Sequence, residues 1–173
     1  MKITNLGFPR IGRQRELKFA LEKYWRGEIN QSQLVQVADE LKKLHWDWQS
    51  QAGVELLPVG DFSYYDQVLT LSATLNAIPK RHRDFDSQGN ENPIDLDTLF
   101  RVARGRAPSG QHACAAEMTK FFNTNYHYQV PELSQDQQFN IAYTQIFDEV
   151  TQAQSLGYQA KPVLLGPVTY LYL

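Results

Sequence analysis

The period of the apolar positions changes several times along the chain, and each change marks an element. Ile3 to Phe8 is a short apolar-leaning run ended by Gly7, Pro9 and Gly12, the punctuation of a strand giving way to a loop. Leu17, Ala20, Leu21 and Tyr24 then recur at three- and four-residue spacing and stop at Gly27, which predicts a helix with a glycine cap. Asn30 or Ser32 caps a second helix, whose stripe is Leu34, Val37, Ala38, Leu41, Leu44, His45 and Trp48. Val54 to Val59 reads as a buried strand interrupted by Pro58, and Tyr65 to Ala77 as a helix stopped by Pro79. Lys80 to Pro93 is charged and polar, a long surface loop. Asp95 or Asp97 caps a short helix through Arg104, closed by Gly105, and Ala113 to Phe122 is helix-compatible. Tyr126, Tyr128 and Val130 alternate with His127 and Gln129 like a half-buried strand. Ile146, Phe147, Val150 and Ala153 mark a further helix, and the apolar run Pro162 to Pro167 predicts a strand covered on both faces.

This order predicts four parallel strands joined by helical crossovers. A closed barrel of that kind needs about eight strands in ~250 residues. The expected fold class is therefore α/β, an incomplete (β/α)8 TIM-type barrel, with residues 1–173 forming roughly its first half. Val168 to Leu173 runs apolar to the terminus, so the chain is expected to be cut inside a larger domain. A half-barrel leaves a sheet edge open, which invites self-association.

Composition narrows the function classes. Hydrophobic residues at 42% and aromatics at 12% supply a core and exclude intrinsic disorder. The single cysteine, Cys114, excludes a disulfide scaffold and a cysteine-rich zinc finger. There is no apolar segment of signal-peptide or membrane-spanning length, so a cytoplasmic protein with no membrane partner is expected. A net charge of −2 gives no global attraction to nucleic acid.

The local distribution of charge says more. Arg10, Arg13, Arg15 and Lys18 stand against the single acid Glu16, where a strand ends and a helix begins. Cations beside a helix start suit a carboxylate or phosphate ligand, while a solvated face opposite the apolar stripe would read the same way. Arg101, Arg104 and Arg106, with Lys120 further on, form a second cationic group, although Arg104 could serve only the helix C-terminus. From Phe121 there is no further Lys or Arg until Lys161, so the cations are concentrated. Asp61 follows a strand, where it either meets ligand or caps the next helix. His127 lines a pocket or packs as a core histidine, and His45 reads as structural. His82 and His112 lie in polar loops with no evident partner. Metal-binding, nucleophile-elbow, dinucleotide and Walker motifs are missing, so no catalytic residue is expected in this chain.

Five stretches carry a resemblance. They are Leu6-Gly7-Phe8-Pro9-Arg10-Ile11-Gly12 with Arg15-Glu16-Leu17-Lys18, then Leu57-Pro58-Val59-Gly60-Asp61-Phe62, then Asp97-Thr98-Leu99-Phe100-Arg101 with Gly105-Arg106. Glu117-Met118-Thr119-Lys120 running on to Tyr126-His127-Tyr128 and Lys161-Pro162-Val163-Leu164-Leu165-Gly166-Pro167 complete the set. In that order they closely resemble the amino-terminal part of the cobalamin-independent methionine synthase family. The resemblance implies two (β/α) barrels and methyl transfer from 5-methyltetrahydropteroyltri-L-glutamate to L-homocysteine, forming L-methionine without cobalamin. It also implies zinc, held with homocysteine by a carboxy-terminal catalytic barrel absent from these residues; Cys114 matches none of the family's zinc ligands. Arg15, Glu16, Leu17, Lys18 and Lys120 match the positions that hold the folate polyglutamate tail, and Asp61, Arg101, Arg104 and His127 are additional candidates. The alternative is a catalytically inactive, self-associating half-barrel fragment.

Overall fold

The computed structural model describes residues 2–173. The chain divides into two units, one running to Tyr64 and resuming over Gln145–Leu164, the other formed by Tyr65–Thr144 and Leu165–Leu173.

In the first unit, α1 (Glu16–Trp25) packs against α2 (Gln31–Gln51). Asn30 starts α2 with a reciprocal cap. Its side chain accepts the Gln33 N–H (3.0 Å), and the Gln33 side chain accepts the Asn30 N–H (2.9 Å). Leu17, Leu21 and Tyr24 of α1 and Leu34, Ala38 and Leu41 of α2 are buried. A fully buried leucine contributes roughly 2 kcal/mol over an exposed one, so the stripe outweighs the helix propensities of single residues. β1 (Leu56–Val59) pairs in parallel with β4 (Gln159–Pro162), and Thr4 bridges Leu56 in parallel on the way into α1. Pro58 brings no N–H to this sheet, but its carbonyl accepts the buried Trp46 indole N–H at 3.0 Å. α5 (Gln145–Ser155) precedes β4.

The second unit holds α3 (Gln67–Thr74), a 3-10 turn at Lys80–His82, α4 (Leu96–Arg104), β2 (Met118–Lys120), β3 (His127–Gln129) and α6 (Pro167–Tyr172). Asp66 caps α3 by accepting the N–H groups of Val68 and Leu69. One core joins Leu69, Ile78, Leu99 and Val102; another joins Val68, Tyr128 and Tyr170.

The molecule is a mixed α/β chain whose described sheets are small and do not close into a barrel. The first expected strand is reduced to the Thr4 bridge, because Gly7 and Pro9 break the run. The strand expected over Tyr126 to Val130 does not join the parallel sheet. It is β3, antiparallel to β2, with Lys120 opposite His127. β2 in turn occupies residues read as helix-compatible, since the pairing captures Met118–Lys120 in extended form. The last strand lies earlier than Pro162 to Pro167. Pairing ends with the Val163 N–H to the Val59 carbonyl (2.8 Å), and Pro167 opens α6. Asp95, not Asp97, caps α4. The polar loop after Pro79 is not wholly at the surface, for His82 is fully buried.

Candidate functional site

In the first unit the cationic stretch enters α1 through an uncommon backbone. Arg15 sits at the N-cap with φ 64°, in the left-handed region, and no side chain caps the helix. A non-glycine residue there is strained and persists where its surroundings hold it. The hold is local. The Arg15 N–H donates to the Gly12 carbonyl (3.2 Å), the Leu17 N–H to the Ile11 carbonyl (3.1 Å), and the Gln14 N–H to Glu16 Oε2 (2.9 Å). Gly12 suits this turn because its φ is +87°, a conformation side chains rarely adopt, and a Cβ there would also displace the Glu16 carboxylate and approach Leu41 Cδ2 at 2.9 Å.

Arg15 and Lys18 are exposed at this uncapped start. Lys18 Nζ lies 3.7 Å from Glu22 Oε1 and 5.7 Å from the Phe19 ring centroid. An ion pair that open contributes little, so a ligand carboxylate can replace Glu22 at small cost. Leu17 is completely buried, so its side chain serves the core. An apolar groove of about 510 Å³ opens between α1 and α2, lined by Phe19, Val37, Leu41 and Leu44, and Arg15 and Lys18 do not line it.

Asp61 follows β1 and accepts the Phe8 N–H on Oδ2 at 2.7 Å. Burial pushes its carboxyl above the usual carboxylate range, and the Phe8 hydrogen bond pulls the other way. It does not cap α3; Asp66 does. Glu149 was not legible as a site residue. It is buried, accepts the Gly60 N–H (2.7 Å) and a Gln145 Nε2–H (2.8 Å), and lies 3.9 Å from Lys42 Nζ. Burial pushes its carboxyl up, while Lys42 and the two hydrogen bonds oppose that. The available signal was its place four residues before Ala153 on the inward face of α5. His45 is buried against Phe8, with ring centroids 4.8 Å apart, the structural role expected of it.

In the second unit, Lys120 is exposed on β2, directly across from His127, and His127 Nδ1 lies 3.0 Å from the Asn125 carbonyl. Residues facing each other in an antiparallel pair share one side of the sheet, so this hairpin presents a lysine and a histidine together. Arg101 lies at the surface of neither unit. It is buried, pairs with Asp84, and donates to the carbonyls of His82 (3.2 Å) and Ser109 (3.0 Å), which commits it to holding two loops. Arg104 stands in the last turn of α4, where burial and the neighbouring Arg106 push its guanidinium down and Tyr65 opposes.

Among the described residues no group of three or more His, Cys, Asp or Glu could hold a metal ion, and Cys114 is exposed and free. These residues therefore do not fit a zinc site. No helix among them is long and apolar enough to cross a membrane.

An uncapped, cation-bearing helix start and a short parallel sheet place the chain in the α/β class. The family model for the cobalamin-independent synthase N-terminal domain matches residues 2–173, and the chain belongs to that family. It is 71% identical, over its whole length, to the 5-methyltetrahydropteroyltriglutamate–homocysteine methyltransferase of Shewanella oneidensis, covering 22% of that protein. Against proteins of the same name, identity is 60% over 168 residues in Photorhabdus laumondii and 61% over 168 residues in Aeromonas salmonicida. Those matches take in 97% of this chain and 22% and 21% of the two relatives. The chain thus spans about a fifth of the length of the curated relatives it matches.

Proposed function

We propose that this chain is the amino-terminal part of a methyltransferase that moves a methyl group from 5-methyltetrahydropteroyltri-L-glutamate to L-homocysteine. Its task in that enzyme is to hold the folate polyglutamate tail and to support the catalytic barrel. On this reading residues 1–173 are roughly the first half of an amino-terminal (β/α)8 barrel, with homocysteine and zinc handled by residues outside this chain. The observation that carries the reading is the start of α1, where Arg15 and Lys18 are exposed beside an uncapped helix terminus. The helix dipole favours an anion there, and forked or ammonium cations add charge-assisted hydrogen bonds. Lys120, exposed on β2, is a further cation that the family resemblance assigns to tail binding. Each exposed contact is worth on the order of 1 kcal/mol, so affinity grows with the number of glutamates engaged.

The test is kinetic. Lys18→Ala and Lys120→Ala in the intact protein raise KM for the triglutamate donor about fivefold each while leaving kcat nearly unchanged, the signature of lost ground-state binding. Wild-type KM in either variant at physiological salt would remove that residue from the tail site.

A second reading, a catalytically inactive and self-associating fragment, draws on α6, where Val168, Leu171 and Tyr172 are exposed. Light scattering of the 173-residue chain separates the two, because a monomer with a cooperative melt is incompatible with obligate pairing.

A further inference from the structure

The loop from Leu6 to Gln14 carries Arg10 and Arg13 into α1, and both of its ends are anchored. Upstream, Thr4 Oγ1–H donates to the Leu56 carbonyl (3.2 Å) and Asn5 Nδ2–H to Gln49 Oε1 (2.8 Å), while the Lys161 ammonium donates to the Asn5 carbonyl. Downstream, the Ile11 and Gly12 carbonyls accept from Leu17 and Arg15. Between these anchors the Phe8 N–H donates to Asp61 Oδ2 at 2.7 Å. Gly7 makes the approach possible. Its φ is +151°, and a Cβ on it would lie 3.2 Å from both Asp61 Cβ and Oδ2. On its other flank the Phe8 ring rests on His45.

We propose that Asp61 is a positioning residue for polyglutamate binding: its carboxylate moors the backbone at Phe8, so that the loop delivers the cations of the α1 start in one arrangement. The proposal rests on the reading that Arg15 and Lys18 receive the tail. A charge-assisted hydrogen bond from a backbone N–H to a half-buried carboxylate is strong enough to select one loop conformation, since water competes poorly for it. Asp61 itself need not touch the ligand. Disordering the loop would spread its cations over several arrangements, and the tail would then have to order them on binding.

The probe is a γ-linked triglutamate peptide, titrated calorimetrically into the intact protein. Asp61→Ala weakens its binding roughly fivefold, the scale of one ordinary net hydrogen bond. Asp61→Asn keeps a carbonyl oxygen for the Phe8 N–H and stays within about twofold of wild type. The loss is absent with a single glutamate, which engages too few cations to sense their arrangement. Gly7→Ala strains the same contact without touching the carboxylate and weakens the triglutamate in the same direction, so the proposal stays testable if Asp61→Ala fails to fold. Unchanged binding in Asp61→Ala or in Gly7→Ala, or equal losses in the Ala and Asn variants, overturns the mooring role. If Lys18→Ala also binds normally, the tail site itself is wrong; if Lys18→Ala is weakened while Asp61→Ala is not, only the mooring fails.

Discussion

His82 places a titratable ring where nothing accepts or donates to it. Its side chain is fully buried, and neither ring nitrogen has a hydrogen-bond partner among the described residues. Burial above all, then the cations Arg81 and Arg101, hold its pKa down at about 4, with Glu132 opposing. In the unfolded chain the same ring titrates near ~6.5. The folded ring is therefore neutral over the interval in which the unfolded ring gains its proton. Stability from this residue is complete above about pH 6.5 and is lost progressively as pH falls toward about 4, by on the order of 2–3 kcal/mol. Replacing the ring by a non-titrating one of similar shape, His82→Phe, should flatten the acid limb of a stability curve measured by urea melts at stepped pH. An acid limb as steep in the variant as in the wild type would show that the titration lies elsewhere. The polar, charged composition of Lys80 to Pro93 gave no hint of this burial. What buries His82 is the docking of its loop through Arg101, which a local pattern does not encode.

Among the elements, α4 shows how caps make a helix readable. Asp95 accepts the Thr98 N–H and hydroxyl, both at 2.8 Å, and Gly105 ends the helix at φ 74°. Both signals stand in the sequence, as does the Asn30 start of α2. β2 and β3 were harder. The Met118–Lys120 segment is compatible with a helix by composition, and its extended form comes from pairing with His127–Gln129, a contact that apolar spacing cannot register. The site was legible in the same uneven way. The cluster at Arg15 and Lys18 lies in one continuous segment beside a helix start, whereas the role of Arg101 depends on Asp84 and Ser109 brought to it by folding. The two caps of α4 should not be equal in weight. Asp95→Ala removes a cap worth about 1 kcal/mol. Gly105→Ala forces a Cβ into the left-handed region and within 2.7 Å of the Ala113 carbonyl, a backbone atom that cannot swing away. The two effects together should cost about 2–3 kcal/mol. Thermal melts of the two variants test the order, and a Gly105→Ala protein as stable as Asp95→Ala would mean that the Ala113 segment yields.

At the scale of the whole chain, β1 pairs with β4 across a stretch that leaves the first unit at Tyr64 and returns at Gln145. That return was not visible in the periodicity, which placed four strands in one sheet, because a period identifies a strand and not its partner. Charge behaves in the opposite way. The net −2 of the sequence describes the whole and misdescribes the α1 start, where four cations face one acid. If that start receives a chain of carboxylates, binding must follow local charge and ignore the total. Exposed pairs are screened over a Debye length of about 8 Å at physiological salt and about 3 Å at 1 M. Raising salt between those limits should therefore weaken a γ-linked triglutamate peptide by about tenfold, and a single glutamate by about twofold, because each added carboxylate brings another screened contact. Calorimetric titration of both ligands across the salt series measures the two slopes. Charge reversal at exposed Asp136, outside the cationic stretch, changes the net charge and should leave both slopes unaltered, whereas Lys18→Ala should lower the triglutamate slope alone. Equal slopes for the two ligands would mean that the tail is held by contacts that do not count its charges.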